Sequence, residues 1–101
     1  MGQQVRLTLP ASLRTLAGID GEVVVELEGE VTLAAALDAL EAKHPVLRGT
    51  LRDHSSGRRR PFIRFFACEE DLSLGPPDQA LPERVVAGAE PLIVIGAIAG
   101  G

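Results

Sequence analysis

The sequence predicts an α+β domain, a small mixed sheet crossed on one face by one main helix. Two runs of alternating apolar and polar residues, Val5 to Leu9 and Val23 to Leu27, read as strands. A helical stripe of Leu33, Ala36, Leu37 and Leu40 lies between Thr32 and Pro45. A continuous apolar run, Leu92 to Ile95, has the length and character of a strand deep in a sheet.

Each element has its own local reason. Val5-Arg6-Leu7-Thr8-Leu9 alternates and then meets Pro10, as a half-buried first strand would. Leu13 and Leu16, in the connection that follows, are expected to pack beneath it. Asp20-Gly21 signals a turn, and Val23, Val25 and Leu27 alternate with flanking Glu22, Glu26 and Glu28. This second strand is expected to run antiparallel to the first.

Gly29-Glu30 breaks the pattern, and Thr32 is placed to cap a helix whose stripe continues to His44. Lys43 and His44 suit the negative end of the helix dipole, and Pro45 ends the helix. Asp53 to Arg60, with Ser55-Ser56-Gly57 inside it, reads as a surface loop. Phe62 to Ala67 is the third strand. Alternation places Ile63, Phe65 and Ala67 on one face and Phe62, Arg64 and Phe66 on the other. Gly75-Pro76-Pro77-Asp78 and Leu81-Pro82-Glu83 mark a loop with room for one short strand or turn. The last strand, Leu92 to Ile95, is expected to be central or buried on both faces and parallel to the first through a right-handed crossover. Strand, strand, helix, strand, irregular segment, strand is the order of the β-grasp, or ubiquitin-like, fold. One domain over 1–101, with a flexible tail over 96–101, accommodates it.

Composition narrows the function classes. The chain has 101 residues, 46% of them hydrophobic, and a net charge of −4, which fits a globular domain and argues against nucleic acid or an anionic membrane as partner. Aromatic residues make up 3%, too few for base-stacking platforms. The start lacks the basic and apolar regions of a signal peptide, and no run approaches the ~20 apolar residues of a membrane-spanning helix. A cytoplasmic location is the expectation.

No nucleophile elbow, phosphate loop or dinucleotide fingerprint appears, and no cofactor is implied. Cys68 is the sole cysteine, and Glu69-Glu70-Asp71 beside it disfavours a thiolate, so it reads as a packed strand-end thiol. With only two distant histidines, His44 and His54, it makes no zinc site. Arg58-Arg59-Arg60 is either a solvated charge run or a grip for an acidic partner or a phosphate. Phe62, Arg64 and Phe66 are candidates for a partner surface if the second sheet face is open; the alternative is that the Pro-rich segment folds over them.

Gly100-Gly101 closes the sequence. At this glycine content the pair arises by chance in about 1% of chains. Two residues without side chains present an α-carboxylate on a slender stalk that can thread a narrow channel. Here the chain resembles the ubiquitin-like sulfur carriers of the MoaD/ThiS type. The resemblance runs through the Val5 to Leu9 strand, Leu13-Arg14 with Gly18, and Thr32-Leu33 at the helix start. It continues through Leu47 to Asp53, the Phe62 to Asp71 strand and turn, and Gly100-Gly101. The Asp53 to Arg60 insert is most like the longer carrier that serves cysteine synthesis. Two departures stand out: Cys68-Glu69-Glu70-Asp71 replaces the usual Asn-Gly or Asn-Asp turn, and Ile95-Gly96-Ala97-Ile98-Ala99 replaces the Pro-containing approach to the terminus.

The resemblance implies a carrier rather than an enzyme, working alone or as the small subunit of a synthase such as molybdopterin synthase. An E1-like ATP-dependent activating enzyme would convert the Gly101 carboxylate to an acyl-adenylate. Sulfide or a persulfide would then displace AMP and leave a thiocarboxylate that donates sulfur to a synthase partner. Gly101 would be the reacting residue and Gly100 its slim approach, with Ala99 and Ile98 adding contacts beside Phe62, Arg64 and Phe66. Two other readings share the fold: a protein modifier joined to lysines through Gly101, and a non-covalent binding module.

Overall fold

Five strands in the order β2-β1-β5-β3-β4 form one mixed sheet in the computed structural model, which describes residues 2–96. β1 is Gln3–Thr8 and pairs antiparallel with β2, Val23–Leu27, in the register Val5↔Val25 and Leu7↔Val23. The alternation is realised: Val5, Leu7, Val23, Val25 and Leu27 are buried. β5, Leu92–Gly96, runs parallel to β1 and antiparallel to β3, Ile63–Ala67, and so occupies the centre of the sheet. β4 is the two-residue strand Glu70–Asp71. A mixed sheet with these pairings and one long helix on a single face is the ubiquitin-like β-grasp.

The long helix, α2, covers Leu33–Lys43, and Thr32 Oγ1 accepts from the Ala35 N–H at 3.1 Å, closing its first turn. The next donors in that turn go to backbone. The N–H groups of Leu33 and Ala34 donate to the carbonyls of Gln79 and Pro77 at 3.1 and 2.8 Å, and the Leu81 N–H donates to Val31. Leu33, Ala36, Leu37 and Leu40 face the core beside Phe65, Leu92 and Val94, and Leu40 has no exposed surface. Arg52 ties α2 to the following loop: its guanidinium meets Asp38 at 2.8 Å and Glu41 at 3.0 Å. Burial opposes its charge, but the hydrogen bonds it donates to both carboxylates prevail and raise its pKa.

Several expectations need correction. The connection after β1 is a helix, α1, over Ala11–Ala17, and only Leu13 enters the core; Leu16 stays exposed. Glu83–Val86 forms a one-turn helix, α3, in the stretch read as irregular, and buries Val85. Phe62 precedes β3 rather than lying in it. β5 is central but not buried on both faces, because Ile95 is 47% exposed. Gly96, assigned to the tail, is the last residue of β5 and pairs with Ile63. The rest of that tail lies outside the described residues. Among the described residues no helix is long and apolar enough to cross a membrane.

Candidate functional site

The candidate site is the sheet face that α2 leaves open, where β5 runs out. Side chains on a strand alternate, so Ile93 and Ile95 point away from the helix when Leu92 and Val94 point toward it. Pairing with β3 then aligns Phe66 with Ile93 and Arg64 with Ile95, while Ile63 stands beside Gly96. Phe62, one residue before β3, is 61% exposed. The result is an apolar patch of Ile95, Ile93 and Phe66 with Phe62 just before β3; Phe66 and Ile93 are half-buried, and Phe62 and Ile95 are exposed. Single exposed apolar residues mean little; several on one open face are the feature that makes this face the candidate.

The alternative, that the Pro-rich segment folds over these phenylalanines, does not hold. Pro77 to Leu81 is bonded to the N-terminal side of α2, and Ala80 forms a bridge with Thr32. Phe62 is left open as a consequence.

Charged groups border the patch and are fixed by partners. Arg64 donates to Asp71 Oδ2 at 3.2 Å across the β3–β4 hairpin. Asp71 is held below the usual carboxylate range, chiefly by the Ser73 hydroxyl and backbone N–H and also by Arg64. On β1, Arg6 makes a fork with Glu22, two bonds of 3.0 Å, and its third nitrogen donates to the Gly88 carbonyl at 2.8 Å. The Arg6 hydrogen bond lowers the Glu22 pKa.

The hairpin turn departs from ordinary turn chemistry. Cys68 and Glu69 both have positive φ, 53° and 65°, the conformation that Asn-Gly supplies at low cost. Cys68 is half-buried against the core, as a packed thiol should be. The arginine run is only partly solvated: Arg58 is exposed, while Arg59 and Arg60 bond to backbone carbonyls. Arg59 donates to the carbonyls of Ser73, Ile63 and Arg60, and Arg60 donates to that of Gly49 at 2.7 Å. Arg59 therefore ties the loop to β3, and Arg60 ties it to the connection after α2.

Arg64 and Phe66 thus share one face with Ile93 and Ile95, and Phe62 stands exposed just before β3. Gly100, Gly101, Ala99 and Ile98 lie outside the described residues. Gly96 is hemmed in: a Cβ there would stand 3.2 Å from Ile63 Cδ1 and 3.4 Å from Pro10 Cγ, so the exit from β5 is narrow.

No family model and no curated protein matches the chain. Solved structures do. SAMP1 from Haloferax volcanii, a small archaeal modifier protein, is 24% identical with a TM-score of 0.74, the match covering 97% of this chain and 99% of that one. CysO of Mycobacterium tuberculosis is 25% identical with a TM-score of 0.70, covering 93% of this chain and 99% of that one. A structure of the BexX/CysO complex of Amycolatopsis orientalis matches at 24% identity and a TM-score of 0.71, over 96% and 99% of the two chains. The resemblance to ubiquitin-like carriers of the MoaD/ThiS type is thus matched in structure, and at these identities it is the fold that the likeness establishes.

Proposed function

We propose that this chain is a sulfur-carrier protein that works through the carboxylate of Gly101 and docks on its activating enzyme with the open sheet face. The observation that carries the reading is placement. β5 leads toward Gly100-Gly101 from the centre of the sheet, and Phe62, Ile93, Ile95 and Phe66 form an apolar strip along its last residues. A partner that takes up the terminus meets this strip at the same time.

A carboxylate resists attack because its leaving group would be oxide. Transfer of AMP from ATP to a Gly101 oxygen, with release of pyrophosphate, makes AMP the leaving group. Hydrosulfide then attacks the carbonyl carbon, the C–S bond forms, the C–O bond to AMP breaks, and the thioacid loses its proton to give the thiocarboxylate. The activating enzyme supplies ATP binding and acid–base groups; the carrier supplies a narrow peptide and a docking face. The sulfur acceptor is a synthase of cofactor or cysteine biosynthesis.

Intact-mass spectrometry after incubation with an activating enzyme, ATP and a sulfide source tests the reading. The expected product has one oxygen replaced by sulfur at Gly101, and a variant with one residue appended after Gly101 gives none. Equal activation of the appended variant would overturn it. The modifier reading is favoured by one observation, the likeness to small archaeal modifier proteins. It predicts covalent adducts on lysines of other proteins in the same experiment. Neither product would leave a non-covalent binding module.

A further inference from the structure

The sheet order leaves two free edges, β2 and β4. β4 is two residues long and offers little to pair with. β2 is five residues, Val-Val-Val-Glu-Leu, with an unbroken register against β1 and no proline. A strand of this kind, uncovered, is a template for another chain.

The backbone groups that point outward can be identified. In an antiparallel ladder, residues alternate between those that exchange both hydrogen bonds with the neighbouring strand and those whose N–H and C=O point away. The Val24 carbonyl accepts from Lys43 Nζ at 2.7 Å, so Val24 belongs to the outward set, and Glu26, two residues on, belongs with it. Among the described residues nothing besides Lys43 bonds to these outward groups. They face a groove of about 680 Å³ walled by Ala39, Ala42 and Lys43 of α2 and by Val24 and Glu26 of β2.

Charge decides the occupant. Glu26 and Glu28 are exposed and form no ion pair among the described residues, and Glu22 stands at the other end of the strand. Two copies of β2 paired antiparallel about Val24, Val25 or Glu26 would in every case set one glutamate opposite another, which is destabilising. A second copy is therefore disfavoured, and a cationic strand is favoured. We propose that the β2 edge binds an extended peptide by strand addition, its residues alternating apolar and basic. The apolar side chains lie against Ala39 and Ala42, and the basic ones meet Glu26 and Glu28. Main-chain bonds to Val24 and Glu26 supply affinity, and the alternating side chains supply specificity. Lys43 acts as a removable plug on the Val24 carbonyl.

The probe is acetyl-Lys-Val-Lys-Val-Lys-amide, titrated into ¹⁵N-labelled full-length protein. Amide shifts are expected in β2 and the outer side of α2, with slowed hydrogen exchange at the Val24 and Glu26 N–H groups. Glu26→Lys should weaken binding about tenfold or more, and Lys43→Ala should tighten it. Two further peptides separate strand addition from charge attraction. One carries N-methyl groups on the valine amides and the other on the lysine amides. Only one of the two sets can point at β2, so one peptide should bind and the other should not. Equal binding of both, unchanged exchange at Val24 and Glu26, or shifts confined elsewhere would overturn the proposal.

Discussion

Replacing Phe62 by alanine separates a docking role from a structural one, because the two make different demands on the same side chain. Burying a phenylalanine completely stabilises a fold by about 1.5–3 kcal/mol. Phe62 is 61% exposed and lies outside the strand, so only a minor part of that is at stake. The expected loss of folding stability is about 1 kcal/mol or less. An aromatic side chain that anchors an interface costs about 1–3 kcal/mol when truncated, a weakening of roughly 5- to 150-fold in Kd. Isothermal titration calorimetry against the activating enzyme reads the second quantity, and urea melts read the first. Phe62 is no anchor if Phe62→Ala binds within about twofold of the native protein, a change smaller than interface anchors produce. The same follows if the melts show a loss above about 2 kcal/mol, the range of core truncation, because Phe62 would then be a core residue.

Leu40→Ala supplies the opposite pattern: Leu40 is wholly buried on the core face of α2, so stability should fall by about 2–5 kcal/mol in the same melts while the folded protein keeps its affinity. Glu69→Gly should raise the urea midpoint by an amount worth about 0.5–1 kcal/mol with unchanged slope, since Glu69 sits exposed at φ 65° where glycine meets no Cβ penalty. Acid should destabilise the fold through Glu22, Asp53 and Asp71, all held below the usual carboxylate range. Their contributions are complete above the unfolded values near pH 4 and vanish as pH falls through the lowered folded ones. The melting temperature should therefore drop below about pH 4, and less steeply in Asp71→Asn; identical slopes would show that the Ser73 and Arg64 bonds to Asp71 contribute nothing.

The parts of this fold legible in the sequence are those in which one period dominates. β1 and β2 alternate because one face meets the core, and α2 carries its stripe between a threonine cap and a proline stop. α1 escaped because seven residues with one buried leucine make no stripe, and its Pro10 cap has no side-chain hydrogen bond. α3 escaped because a single turn after Pro82 is set by tertiary contact of Val85, not by pattern. The arginine run looked like solvent-facing charge because sequence does not reveal that three backbone carbonyls await Arg59. Leu92 to Ile95 is the instructive case. Four apolar residues in succession read as a strand either central or covered on both faces; it is central, but the sheet has one face covered by α2, so Ile93 and Ile95 lie on the other. A one-sided sheet ordinarily alternates apolar and polar residues; here its central strand does not, and that surplus hydrophobicity on the open face is what the proposed docking role would use. The same four residues that hid the open face are thus its strongest sequence signal, once the number of covering helices is known.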